Sequence, residues 1–143
     1  MVDVITKIVI NKTLNEVATF ACNPDNAPLW YVNIKSVEWK TEKPLKLNSQ
    51  IAFVAHFMGK KLSYTYEIVE MNENKFAMRT AEGPFPMETT YTFKKINNNI
   101  TEMSLRNCGN PTGFSKFFAP FMSMMMRNVN MKDLKKLKSI LEF

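Results

Sequence analysis

The most informative part of the chain is residues 49–108, which read SQIAFVAHFMGKKLSYTYEIVEMNENKFAMRTAEGPFPMETTYTFKKINNNITEMSLRNC. Apolar and polar residues alternate over much of it, as they do in half-buried strands. Its hairpin turns are predicted at Gly59-Lys60, the loop 72–74, Gly83-Pro84 and the loop 97–99. A slip of one residue would exchange the two faces of a strand, so each turn checks the others. All four place apolar and aromatic side chains on one face, which predicts five consecutive antiparallel strands.

The turns also predict which residues lie opposite each other on the apolar face. The predicted pairs are Phe57 with Leu62, Ala55 with Tyr64, Phe53 with Tyr66, Ile51 with Ile68, Ile68 with Met78, Tyr66 with Thr80, Thr80 with Met87, Met78 with Thr89, Phe76 with Tyr91, Phe93 with Met103, Tyr91 with Leu105 and Thr89 with Asn107. The other face collects charge, with Arg79 between Glu67 and Glu88 and with His56 on the same side. We therefore expect Arg79 to form exposed ion pairs, which contribute little stability.

The segments outside the hairpins predict two further strands and three helices. In chain order they are a strand at 3–10, helices at about 13–22 and 24–31, a strand at 32–42 and a long helical segment at 112–142. Thr13 followed by Glu16 is a capping box at the start of the first helix. Pro120 predicts a kink or break in the last segment.

The C-terminal segment carries two apolar stripes in helical projection. One consists of Phe114, Phe117, Phe118, Phe121 and Met125, and the other of Leu134, Leu137 and Leu141. Further methionines surround this helix at 122, 124, 126 and 131. They suit an adaptable wall for a ligand, packing against the short helices, or contact with a membrane or a partner beside the basic segment 132–138.

Composition bounds the class of protein. The 143 residues match one domain, 1–143. With 22% charged and 45% apolar residues the chain is not disordered, and it lacks the run of about 18 apolar residues that a membrane span needs. The net charge of +6 is spread along the chain, so no nucleic acid partner is expected. Two isolated cysteines suggest a reducing, cytoplasmic location, and we expect a monomer or weak dimer.

This order of elements, β-α-α-β6-α, predicts an α+β helix-grip fold, in which a curved antiparallel sheet of about seven strands wraps around a long C-terminal helix. The sequence resembles the START-like (SRPBCC) superfamily, in its polyketide cyclase/dehydrase and lipid-transport branch. The resemblance is carried by Asn23-Pro24 to Trp30, Pro44-Leu45, Gly59, Tyr64 to Glu70, Gly83-Pro84-Phe85, Tyr91-x-Phe93 and Leu137-Lys138-x-x-Leu141-Glu142. It implies one ligand-binding domain with a cavity for an apolar ligand between sheet and helix.

The predicted cavity wall combines apolar side chains with a small polar cluster. Its residues are Phe53, Tyr64, Tyr66, Met78, Thr80, Thr89, Tyr91, Met103, Asn107, Phe117, Phe121 and Met125. The hydroxyl and amide groups either orient a carbonyl or hydroxyl group of a ligand or satisfy one another, as buried polar groups usually do.

The residues offer little for covalent chemistry. One His and two distant Cys are not a metal-ligand set, and no cofactor motif is present. No catalytic residue is expected. Glu82 is the only carboxylate predicted on the inner face, either as a general acid or base or as a solvated rim residue.

We therefore predict a carrier or sensor that binds a hydrophobic or amphipathic small molecule without covalent chemistry. One alternative is an enzyme resembling polyketide cyclases or dehydrases, which would use the Tyr, Thr and Asn side chains and Glu82. Another is a protein-interaction module that uses the basic end of the last helix, including Lys135 and Lys136.

Overall fold

The computed structural model describes residues 2–57, 59–110 and 119–143. Within them, seven antiparallel strands form one sheet in the order β1-β7-β6-β5-β4-β3-β2. The strands are β1 (Val2–Ile10), β2 (Ile34–Trp39), β3 (Gln50–Phe57), β4 (Lys60–Met71), β5 (Lys75–Glu82), β6 (Met87–Asn97) and β7 (Ile100–Gly109). The helices are α1 (Leu14–Ala21), α2 (Ala27–Trp30) and α3 (Ala119–Glu142), with a 3-10 turn at Pro24–Asn26. The α+β helix-grip prediction is confirmed.

The registers predicted for three of the four hairpins are also confirmed. Confirmed pairs are Ile68 with Met78, Tyr66 with Thr80, Met78 with Thr89, Phe76 with Tyr91, Phe93 with Met103, Tyr91 with Leu105 and Thr89 with Asn107. These strands have one buried face, so a one-residue slip would bring polar side chains inside.

The register predicted for the first hairpin, β3–β4, is wrong by two residues. Phe53 lies opposite Tyr64 and Ile51 lies opposite Tyr66, and Phe57 lies opposite Lys60 where the prediction had Leu62. Gly59 has φ of 75°, a left-handed conformation that glycine adopts without a steric penalty. The turn therefore forms one residue earlier than the predicted Gly59-Lys60 turn. Because side chains alternate with a period of two, a shift of two leaves each predicted inward residue on the inner face.

The outer face of the sheet is solvated. Arg79 lies opposite Glu67 and Glu88, and its Nε is 3.5 Å from Glu88 Oε2. His56 is exposed. The prediction that Arg79 and His56 point outward is confirmed.

The N-terminal helices are held by local capping. The Thr13 hydroxyl accepts a hydrogen bond of 3.1 Å from the backbone N–H of Glu16, and it donates one of 3.1 Å to the Glu16 carboxylate. The bond from the Glu16 N–H is the N-cap half of the predicted capping box, whereas the Glu16 carboxylate accepts from the Thr13 hydroxyl. At the end of α2, Trp30 is fully buried against the sheet. These short helices therefore form one wall of the space above the sheet.

The orientation of α3 differs from the prediction. Leu134 and Leu137 are fully buried, but Phe121 is 46% exposed. At 100° per residue, the face that carries Leu134 and Leu137 also carries Met126 and Asn130, and Phe121 and Met125 are rotated away from it. The predicted inner stripe containing Phe121 and Met125 is thus wrong. Its other members, Phe114, Phe117 and Phe118, lie outside the described residues, and the break predicted at Pro120 falls at their border.

None of the helices in the described ranges combines the length and the apolar composition that a membrane span requires.

Candidate functional site

A cavity of about 160 Å³ lies between the inner face of the sheet, the short helices and α3. Of the twelve residues predicted for its wall, the structure places eight along it: Phe53, Tyr64, Tyr66, Met78, Thr80, Thr89, Tyr91 and Asn107. The sheet side of the cavity is therefore the side that the sequence pattern located.

The other four predicted wall residues are not part of the described wall. Met103 is fully buried between Ile8 and Phe93, its neighbours on the adjacent strands. Phe121 is exposed and Met125 is half-buried away from the cavity. Phe117 lies outside the described residues. The helix side of the wall consists instead of Met122, Met126, Val129, Asn130 and Asp133.

A chain of hydrogen bonds joins three strands along the wall. The Thr89 hydroxyl donates to the amide oxygen of Asn107 at 2.7 Å and lies 3.0 Å from the Tyr66 hydroxyl. A hydroxyl has only one proton to donate, so Tyr66 must donate to Thr89. These three residues satisfy one another, which was the second of the two alternatives for the polar cluster.

Thr80 has a structural role at this position. Its hydroxyl donates to the carbonyl oxygen of Met87 at 3.1 Å and accepts from the backbone N–H of Met87 at 3.0 Å. These two bonds close the β5–β6 hairpin and occupy the hydroxyl proton.

Tyr31, which follows α2, is a wall residue that the sequence analysis missed. Its hydroxyl is 2.5 Å from the hydroxyl of Tyr91, and the Tyr31 ring packs on Trp30 with 4.1 Å between centroids. Burial raises the pKa of both tyrosines well above the usual value. Both phenols therefore stay protonated and serve as hydrogen-bonding groups.

Asp133 is the buried carboxylate of the cavity wall. It is 2% exposed, and its Oδ1 accepts a hydrogen bond of 2.9 Å from the backbone N–H of Val32. Burial raises the pKa of Asp133 to about 7, although the Val32 bond and Lys136 act in the opposite direction. Tyr64, across the cavity, lies close enough to Asp133 for the carboxylate charge to raise its own pKa. The site thus holds a carboxyl group that is partly ionised near neutral pH.

Asn130 lies one turn before Asp133 on the same face of α3. It is 4% exposed and lines the cavity. Its Nδ2 has no hydrogen-bond partner among the residues that the structure describes. Both residues were missed because the predicted inner stripe was rotated toward Phe121. A projection that started from Leu134 and Leu137 would have found them at the i−4 positions of the same face.

Glu82, the carboxylate predicted for proton transfer, is not in the cavity. A bulge at Ala81 in β5 places Glu82 opposite Thr65, and the Glu82 side chain is exposed. The prediction that it lies on the inner face beside Tyr64 is wrong because a bulge adds one residue to a strand and shifts the later residues to the other face. Its alternative, a solvated rim residue, agrees with this position.

Cys22 lines the cavity from the end of α1. Burial raises the pKa of its thiol to about 12. Because the thiolate is the reactive form of cysteine, the raised pKa favours a packing role for Cys22 over a nucleophilic one. No group of three or more His, Cys, Asp or Glu side chains suited to a metal ion is found in the described parts of the chain.

A family model described as "Polyketide cyclase / dehydrase and lipid transport" matches residues 1–142. The chain belongs to this family. The predicted membership in the START-like superfamily is therefore confirmed. A search of curated proteins gives no match.

Solved structures agree with the family assignment at the level of the fold. A protein from Thermus thermophilus shares 20% identity with a TM-score of 0.84, covering 97% of this chain and 96% of that one. A START superfamily protein from Mycobacterium smegmatis has 12% identity and a TM-score of 0.85, covering 98% and 97%. The Zhui aromatase/cyclase from a Streptomyces species has 12% identity and a TM-score of 0.79, covering 98% and 93%. At these identities the similarity concerns the fold and not the ligand.

Proposed function

We propose that residues 1–143 act as one ligand-binding domain that holds a compact hydrophobic or amphipathic molecule between the sheet and α3, as a carrier or sensor without covalent chemistry. The observation that carries the proposal is the cavity of about 160 Å³ with its aromatic wall. An engineered apolar cavity of about 150 Å³ stays dry and binds benzene. A ligand with a single ring therefore fits the cavity as it stands.

Burial of the ring supplies the binding energy. Each apolar carbon removed from water contributes about 0.8 kcal/mol, so six carbons contribute roughly 5 kcal/mol before the losses of motional freedom. That energy corresponds to a dissociation constant no tighter than about 0.2 mM. A physiological ligand of higher affinity must add polar contacts or a larger apolar part.

The wall can adjust to a larger ligand because several of its residues are methionines. Met78, Met87, Met122 and Met126 line the cavity. Their unbranched thioether side chains have three rotatable bonds and repack at low energetic cost. This supports a binding site that accepts ligands of related shapes.

The free cysteines are in keeping with a reducing compartment such as the cytoplasm.

Ala55→Leu tests the proposal by filling the cavity. Ala55 is 7% exposed on β3 and lines the void, so a leucine there adds three carbons inside it. We expect toluene to bind the wild type in the millimolar range and to bind the variant at least tenfold more weakly, because the space is occupied. Binding is measured by NMR titration, and thermal melting reports the overpacking cost of about 1 to 3 kcal/mol.

Ala81→Leu is the matched control, because Ala81 is exposed on β5, two strands away from β3. It should bind toluene as the wild type does. Native mass spectrometry of the freshly purified protein adds an independent measurement, since a copurified compound would report the natural ligand. A wild type that binds neither toluene nor any copurified compound would contradict the proposal.

The buried carboxyl group of Asp133 supports a second candidate function. The protein would be an enzyme that removes a proton from the carbon next to a carbonyl group, as the resemblance to polyketide cyclases and dehydrases suggests. A general base works best when its pKa lies near the operating pH, and burial raises the pKa of Asp133 to about 7. The carboxylate would take the α-proton of an enolisable ketone, and the amide N–H of Asn130 would stabilise the enolate oxygen.

This candidate predicts exchange of a ketone proton with solvent. In D2O at pH 8, the wild type should exchange the methyl protons of acetophenone faster than buffer does, because Asp133 is then ionised. Asp133→Asn should reduce the rate to that of the buffer, and NMR measures both rates. Glu82→Gln, which removes an exposed carboxylate, should exchange like the wild type. Exchange at the buffer rate with the wild type would exclude this candidate for simple ketones.

A further inference from the structure

Asn130, on the helix side of the cavity, carries a buried amide N–H with no partner in the part of the chain that the structure describes. The residue is 4% exposed. A buried polar group left unpaired costs about 1 to 3 kcal/mol, and native structures contain few of them. A leucine of similar shape at this position would remove that cost. The presence of an amide at position 130 is therefore better explained by a ligand that enters the cavity and accepts its hydrogen bond than by packing alone.

The neighbouring group is an acceptor that is only partly used. Asp133 is 2% exposed, and the described residues offer one hydrogen bond to it, from the backbone N–H of Val32 to Oδ1. A carboxylate has about four acceptor positions. Residues three apart lie side by side on a helix, so the wall of α3 presents a donor next to an acceptor.

The groups around the pair are apolar or neutral. Tyr31 and Tyr64 face Asp133 from across the cavity, and burial keeps both phenols protonated. Lys136, on the exposed side of α3, is the cation that acts on Asp133. Among the described residues that line the cavity, Asp133 is the only one with an ionisable acidic or basic side chain of the Asp, Glu, Lys, Arg or His type, and it is acidic.

We propose that Asn130 and Asp133 bind the polar end of the ligand, and that this ligand is a compact aromatic molecule with adjacent carbonyl and N–H groups, such as an aromatic carboxamide. The carbonyl oxygen accepts from Asn130 Nδ2, and the N–H donates to the Asp133 carboxylate. This inference rests on the proposed function, because it names the ligand class of the same cavity.

The same geometry disfavours two ligand classes of equal size. An aromatic carboxylate would place its negative charge against Asp133 and has no proton for it. An aromatic ammonium would pair with Asp133 but would leave Asn130 Nδ2 without an acceptor. A ligand that has both groups satisfies both side chains, and mismatched buried donors and acceptors discriminate more strongly than shape does.

Four probes with the same ring test the inference: benzamide, benzoate, benzylammonium and toluene, titrated at pH 8 by NMR or calorimetry. We expect benzamide to bind about tenfold more tightly than toluene and more tightly than both ions. Asn130→Leu should weaken the binding of benzamide about tenfold and leave the affinity for toluene unchanged. Asp133→Asn keeps an oxygen that can accept from the backbone N–H of Val32, but it replaces the second carboxylate oxygen with an amide donor. It should therefore weaken the binding of benzamide and strengthen the binding of benzoate.

Asn128→Leu is the control, because Asn128 is exposed on the other side of α3, and it should change none of the four affinities. The ligand class would be overturned if the wild type bound toluene but bound benzamide no more tightly than toluene. It would also be overturned if both variants bound benzamide with the affinity of the wild type. Either result would leave the proposed function standing. That pattern would also mean that water satisfies the pair. Failure of all four probes, with no copurified compound, would overturn the proposed function itself.

Discussion

Replacing Asp133 by Asn is expected to raise the free energy of unfolding at pH 8 by about 4 kcal/mol. In the folded protein burial raises the pKa of Asp133 from 3.8 to about 7. The folded state therefore binds the proton more tightly than the unfolded state does. Stability from this group is fully present below pH 4 and is lost as the pH rises toward and through 7, where the buried carboxylate ionises. Asparagine cannot ionise and keeps the Val32 hydrogen bond.

The measurement is urea denaturation of wild type and variant at pH 5 and pH 8. The advantage of the variant should grow by roughly 2 to 3 kcal/mol between the two pH values, since about that part of the linkage lies in this interval. Glu82→Gln controls for the loss of one exposed negative charge and should show no comparable change. An Asp133→Asn advantage that is equal at both pH values would show that Asp133 does not titrate in this range in the folded protein.

This stability experiment also bears on function. A carboxylate that destabilises the fold at neutral pH is of the kind that proteins retain at binding and catalytic sites. If Asp133→Asn is more stable and also loses benzamide binding, the stability cost and the ligand site belong to the same residue.

Leu137→Ala is expected to lower the free energy of unfolding by about 2 to 5 kcal/mol. Leu137 is fully buried between α3 and the sheet, so its removal loses apolar burial and leaves a void. Phe121→Ala removes a larger side chain, yet Phe121 is 46% exposed, and its loss should cost less than about 1 kcal/mol. Denaturant unfolding of the two variants measures both values.

The pair of variants tests the rotation of α3 directly. If Phe121→Ala destabilised the protein as much as Leu137→Ala, the helix would present the stripe predicted from the sequence, and Asn130 and Asp133 would leave the cavity wall. The ligand class inferred above depends on the opposite result.

The sheet could be predicted from the sequence because a strand has only two faces. Once the turns at 72–74 and 97–99 set the pairing, residues such as Thr89 and Asn107 had to share the inner face. Even the first hairpin, wrong by two residues, kept its faces for the same reason. Glu82 is the exception, because the bulge at Ala81 in β5 is not visible in the alternation.

The helix side of the site was decided by tertiary packing. A helix can turn any of its faces toward a sheet, and the sequence of α3 offers two apolar stripes of similar strength. Contact with β1 and α2 buries the face that carries Leu134 and Leu137. In that orientation Asn130 and Asp133 line the cavity, and Phe121 is exposed to solvent. Local alternation and turn chemistry therefore determine the strands, whereas the rotation of a helix depends on partners far away in the chain.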